Sequence, residues 1–262
     1  MKLGLIEGLS GRALRLFLSD NVEDVAKGEL LLSHISQHIS KSEDYSFETG
    51  IVGFGWLIAF LYQEKILEIN SDEILEDFDD QIYRITIAEV AKNNLDIPVL
   101  LGLMNYHILR HRNKNPNEIF FRKFVHSECL NLIVDKVFDF INKKVFSEQL
   151  LENESEILCL ILLKCSYCFE YFRHKDMEML IQYIATLIMY FEKQKNKENK
   201  YKKELSLLYY TTINRNYTLF ENRIYTLCKD KGISLDLFTK LNVRELNDVD
   251  LIFFLTNINA KS

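Results

Sequence analysis

In the stretch "EILEDFDDQI", Ile74, Leu75, Phe78 and Ile82 recur at helical spacing, with Glu73, Glu76, Asp77, Asp79 and Asp80 between them. That pattern predicts an amphipathic helix with the carboxylates on its solvated face. Similar segments run along the chain. They predict helices near 9–19, 22–40, 51–67, 72–93, 98–112, 116–143, 154–173, 175–197, 201–213, 217–230 and 244–257. Several starts carry capping chemistry. Asn70 or Ser71 precedes Asp72 and Glu73, carboxylates that suit the positive end of the helix dipole. Asn115, Pro116 and Glu118 occupy N-cap, N1 and N3 positions. Asn153 with Glu156 resembles a capping box. The most polar run, residues 193–203, reads as a loop. Residues 231–262 mix short apolar runs and admit a short strand.

Breaks are few. The 262 residues hold nine glycines and two prolines, and between Gly102 and Gly232 the one proline is Pro116. So few forced interruptions favour long helices joined by short turns. Glycine also marks an internal repeat. "GLSGRALRLFL" begins at Gly8, "GIVGFGWLIAFL" at Gly50 and "GLMNYHILRHR" at Gly102. Offsets of 42 and 52 residues match a two-helix unit with its turns. The third copy has Asn105 where the others have Gly11 and Gly53. The expected fold is one all-α domain over 1–262. Its helical hairpin repeats would form a curved array or incomplete α/α toroid.

Gly50, Gly53 and Gly55 also raise the question of phosphate binding. A dinucleotide loop needs G-x-G-x-x-G between a strand and a helix, and a P-loop needs Gly-Lys-Ser/Thr. Neither is present. Small residues in a first turn instead let helix ends approach closely.

These same residues carry a family resemblance. "GLSGRALRLFL" and "SFETGIVGFGWLIAFLYQEKILEINSDEILEDFDDQI" resemble the lanthionine synthetase C-like family, especially its bacterial members, and "LLGLMNYHILRHRNKN" looks like a worn further copy. The likeness spans about residues 8–113. It implies an α/α toroid with glycine-rich turns opening the inner helices. Catalytic members hold zinc with two cysteines and a histidine in W-C and C-H-G motifs. Here Trp56, the sole tryptophan, precedes Leu57, and no adjacent Cys-His pair exists. The zinc chemistry is therefore not carried to any residue of this chain, and no catalytic residue, metal ligand or cofactor is assigned. The resemblance implies a non-catalytic accessory in the maturation of modified peptides, holding a precursor peptide or partner enzyme. The inner-helix residues Gly50, Gly53, Trp56 and His107 are its binding candidates. An enzyme with an unrecognised site in the central cavity, or a general helical-repeat interaction module, stays open as an alternative.

The remaining chemistry reads as structural. Cys165 and Cys168 form a lone C-x-x-C in the apolar run "EILCLILLKCSYCFEYF", so with Cys159 they are expected in the core. Cys129 and Cys228 offer no second zinc pair. His34 with His38, and His107 with His111, are spaced for a two-histidine clamp, but no third ligand stands at matching spacing. Polar-face positions are expected, with a pocket role for His107 the best exception. Arg110 and Arg112 suit a helix C-terminus. A net charge of −6 argues against a nucleic-acid partner. No run of eighteen apolar residues predicts a membrane span. The N-terminus, broken by Glu7, Arg12 and Arg15, does not resemble a signal peptide, and the five cysteines suit reduced thiols. A cytoplasmic location follows as the expectation.

Overall fold

A computed structural model describes residues 1–19, 21–68, 70–114, 120–146 and 155–194, together with Thr226 and Lys229. Among them the fold is all-α, with no strand. Its helices are α1 (Leu9–Phe17), α2 (Val22–Ile39), α3 (Ile51–Gln63), α4 (Ser71–Ile74), α5 (Glu76–Ala91), α6 (Ile97–Arg112), α7 (Phe120–Phe146), α8 (Ser155–Tyr171) and α9 (Met177–Gln194). The helices expected at 201–213, 217–230 and 244–257, the caps at Asn115 and Asn153 and the strand within 231–262 lie outside the described residues. No described helix is long and apolar enough to cross a membrane. The chain divides into two compact units, 1–137 and 138 onward, and the division falls inside α7.

In the first unit, α1 packs on α2, and the row continues from α1 to α3 and from α3 to α6, with α5 also against α6. Two glycine turns build the start of this row. Gly8 is the N-cap of α1 and Gly50 that of α3. Neither has a side chain to cap with, so the preceding loop does it. The amide of Ser10 donates to Leu3 O, and that of Ile51 to Asp44 O, each seven residues back. The loops then pair with each other: Leu3 and Gly4 amides donate to Thr49 O, and Leu5 to Phe47 O. A Cβ on Gly53 would meet Phe47 O and stand 2.6 Å from the Leu5 nitrogen, both backbone atoms that cannot turn aside. The glycines at 50 and 53 thus belong to a joint between two helix entries.

The third glycine copy departs from this plan. Asp96, not Gly102, caps α6, accepting from the Val99 amide at 3.2 Å. Gly102 lies inside the helix, where a Cβ would come 2.7 Å from Phe47 Cβ. Its absence of a side chain seats α6 against the loop that caps α3.

The helix expected at 72–93 is two. Asn70 caps α4 by accepting from Asp72 N at 3.0 Å, and Leu75 joins α4 to α5. α3 ends where Lys65 takes φ 56°, with Lys65 N bonded to Tyr62 O and Ile66 N to Leu61 O. This is a Schellman turn with lysine in the left-handed position.

In the second unit α8 and α9 form a hairpin. Leu158, Ile161, Leu162, Cys165, Cys168, Leu180, Ile181 and Ile184 are buried in it. The turn is fixed by Phe172 N to Cys168 O and Met177 N to His174 O. Burial pushes the Cys165 thiol up to about 12, so it is an inert core thiol.

Candidate functional site

The described chemistry of the first unit converges on Asp79. From Leu75 at its cap, the buried stripe of α5 runs through Phe78, Ile82 and Thr86, and Asp79 falls within it rather than on the solvated face. That corrects the reading of the whole acidic run as solvent-facing. Glu76, Asp77 and Asp80 do point outward; Asp79 does not.

Asp79 is held from two helices. Tyr106 Oη donates to its Oδ1 at 2.5 Å, and Arg110 Nε donates to the same oxygen at 3.0 Å. Arg110 Nη2 donates to Oδ2 at 2.6 Å, making a bidentate pair. From α7, Arg122 Nη1 approaches Oδ2 at 3.5 Å, and His126 Nε2 approaches Oδ1 at 3.5 Å.

Arg110 sits on α6 with 1% of its side chain exposed. Beyond Asp79 it donates to Asp72 Oδ1 at 2.8 Å and Ser71 Oγ at 3.1 Å. Asn113, with its amide oriented to satisfy both ends, accepts from Arg110 Nη1 at 3.3 Å and donates to Gln63 Oε1 and Leu109 O. All five guanidinium donors are engaged. Arg110 does stand in the last turn of α6, as its charge suits, but its side chain is a buried clamp on α4 and α5 rather than part of a polar helix end. Arg122 completes the rim, donating to Asp72 O at 2.7 Å and pairing with the exposed Glu76 at 2.6 Å.

A second branch leads away from Asp79. His126 Nδ1 lies 2.9 Å from His107 Nδ1, and His107 Nε2 lies 2.9 Å from Thr86 Oγ1. His107 is fully buried, so its expected polar-face position is corrected. His111, one turn on, is half-buried and meets Ser127 Oγ at 3.0 Å. The other spaced pair shares the surface of α2, where His38 Nδ1 contacts His34 O.

Burial dominates the electrostatics. It favours protonation of Asp79, but hydrogen bonds from His126 and Arg110 outweigh it and hold the carboxyl well below its usual range. Burial, then the neighbouring His126, pushes His107 far below the ordinary histidine value. Burial likewise lowers His126, against the pull of Asp79. Tyr106 is raised, first by burial and then by the Asp79 charge. The resting cluster thus holds ionised Asp79 and Arg110 with neutral imidazoles and phenol.

The four inner-helix candidates occupy different surroundings. Gly50 and Gly53 are in the loop joint. Trp56 is buried, stacked on Phe60 at 5.1 Å between ring centroids and edge-on to Phe47 at 6.1 Å. His107 alone joins the Asp79 cluster. Sequence reasoning missed Asp79, Tyr106, Arg110 and His126 as one group. A signal was there: Asp79 interrupts the apolar stripe of α5, and His126 that of α7, which continues through Cys129, Leu130, Ile133 and Val134.

Chemically the cluster is closed. Among the described residues, no side-chain atom in it is buried without a hydrogen-bond partner. Thr86, Tyr106 and His107 have no exposed surface. Comparison with protein-family models, curated proteins and solved structures finds no match to this chain.

Proposed function

We propose that this is a non-catalytic binding protein which engages a peptide or protein partner through the aromatic start of α7. The observation that carries the reading is the exposure of Phe120, Phe121 and Phe124, at 81%, 69% and 50%. Three exposed phenylalanines within five residues form an apolar patch of the kind that marks interaction surfaces. Burying each fully would contribute about 1.5–3 kcal/mol, enough for a contact of useful affinity.

Two further features support binding over chemistry. The Asp79 cluster has its donors and acceptors engaged internally, leaving no group to meet a reacting atom. The amides of Gly50 and Ile51 donate to Ser46 O and Asp44 O, so they are not offered to a phosphate. The resemblance of residues 8–113 to the lanthionine synthetase C-like family adds the biological setting. In that setting the partner is a precursor peptide or a maturation enzyme, and the protein is an accessory.

The test uses the full chain and a fluorescently labelled short precursor peptide carrying a double-glycine leader. Anisotropy should report binding, and a variant with Phe120, Phe121 and Phe124 all changed to serine should bind at least tenfold more weakly while melting at the same temperature. Equal binding by the variant would move the contact elsewhere. A mass change in the peptide on incubation would overturn the non-catalytic reading.

A further inference from the structure

The branch from Thr86 to Asp79 obeys a strict proton count. Thr86 has one hydroxyl proton and two acceptors within reach: Ile82 O at 2.8 Å and His107 Nε2 at 2.9 Å. The two imidazoles meet nitrogen to nitrogen at 2.9 Å, so that contact holds one proton. His126 Nε2 faces a carboxylate oxygen and must carry a proton to be attracted to it.

With both rings neutral, one arrangement satisfies every contact except that of Thr86 with Ile82 O. Thr86 donates to His107 Nε2, His107 Nδ1–H donates to His126 Nδ1, and His126 Nε2–H points to Asp79. With one proton added, a second arrangement satisfies them all. The new proton sits on His107 Nε2 and is donated to Thr86 Oγ1, whose own proton turns to Ile82 O. The former Nδ1 proton of His107 passes along the 2.9 Å contact to His126 Nδ1. The charge then rests on His126 beside Asp79. A second added proton would place two N–H groups head to head and break the chain.

We propose that Thr86, His107, His126 and Asp79 form a one-proton latch that joins α5, α6 and α7 and reverses its hydrogen-bond direction when it takes up a proton from solvent. The charges around it fit a single uptake. Asp72 from α4, Asp79 and Glu76 from α5, Arg110 from α6 and Arg122 from α7 leave one negative charge in excess, three carboxylates against two guanidiniums. Tyr106, on α6, stays neutral beside them. Arg110 and burial oppose the incoming charge, so the reversal falls below the ordinary histidine value of about 6.5. Protons reach the rings by local opening of the unit.

Nitrogen NMR of the full chain, labelled in its histidine rings and followed from pH 8 to pH 5, reads the latch directly. At pH 8 His107 should carry its proton on Nδ1 and His126 on Nε2. On acidification both rings should change together: His107 to Nε2–H, His126 to the doubly protonated form. Thr86→Val removes one hydrogen bond from the neutral form and two from the charged form, and the difference of one bond should lower the midpoint by about one pH unit, a tenfold loss in proton affinity. Thr86→Ser should keep the midpoint, and serves also if the valine variant does not fold. Nε2–H on a neutral His107 at pH 8, separate titration of the rings, unfolding before either ring changes, or a midpoint displaced in Thr86→Ser would each overturn the proposal.

Discussion

α3 and α6 pack against each other and are buried over most of their length, yet they reach the core by opposite means. Every residue of α3 from Ile51 to Leu61 is buried and none is charged. Its fit depends on shape: at Gly55 a Cβ would collide with the Phe78 ring and stand 2.8 Å from Tyr106. α6 buries Asn105, Tyr106, His107 and Arg110 among its leucines. Its fit depends on Tyr106, His107 and Arg110 finding their partners on α4, α5 or α7. An apolar helix held by shape should respond to added volume and ignore pH. A helix held by buried charge should respond to loss of a partner and to protons.

The sharpest way to break the contrast is to remove Asp79. Asp79→Ala leaves Arg110 buried without its bidentate partner, and should destabilise the first unit by about 3–5 kcal/mol in urea unfolding. Changing Asp79 to leucine together with Arg110 to methionine should cost less than the sum of the two single changes, because neither member of the bidentate pair is left buried without the other. If the double change is as harmful as the sum, the pair is not coupled as the geometry requires.

On the α3 side, Gly53→Val should cost about 1–3 kcal/mol through overpacking against Phe47 O and Leu5 N. The same substitution should leave the pH dependence of stability unchanged. An unchanged melting temperature would remove the loop joint as the reason for the glycine.

Acid should act on α6 and not on α3. His107 and His126 have folded values below the unfolded value, so the unfolded chain binds more protons as the pH drops below about 6.5. Their contribution is full above that pH and is lost as pH falls toward the folded values, at about 1.4 kcal/mol per pH unit for each proton of difference. Asp79 adds a further loss below the ordinary carboxylate range, again because its folded value is depressed. Tyr106 works at the other end: its value is raised, so stability declines as pH rises past about 10. Unfolding free energies between pH 5 and 8 for His107→Gln beside the parent chain check this; the variant should show the flatter curve.

How far the sequence could be read follows the same division. Helix positions were legible because periodicity, caps and scarce glycine agree, and α1, α2, α3 and α6 start within one residue of expectation. The glycine joint was legible at Gly50 and Gly53, since nothing about that spacing suits a phosphate. Gly102 was misleading: a glycine that faces Phe47 from inside a helix looks, in sequence, like one that opens a helix. The polar cluster was hidden because solvated helices and buried pairs use the same residues. Only the register of Asp79 and His126 within apolar stripes distinguishes them. Their partners lie 27–43 residues from Asp79 along the chain, beyond any local pattern.

The smallest expected effect concerns how α3 stops, and separates backbone strain from packing. Lys65 holds φ 56°, a conformation that crowds a Cβ against the following carbonyl. Its amide and that of Ile66 close the turn onto Tyr62 O and Leu61 O, so the position is fixed by hydrogen bonds and cannot relax. Glycine is at ease there, though it gains entropy in the unfolded chain. Lys65→Gly should therefore raise stability by roughly 0.5–1 kcal/mol, a small upward shift in the urea midpoint. Lys65→Ala keeps the Cβ and should give no gain. If both variants stabilise equally, the benefit comes from removing the lysine side chain and the turn is not strained.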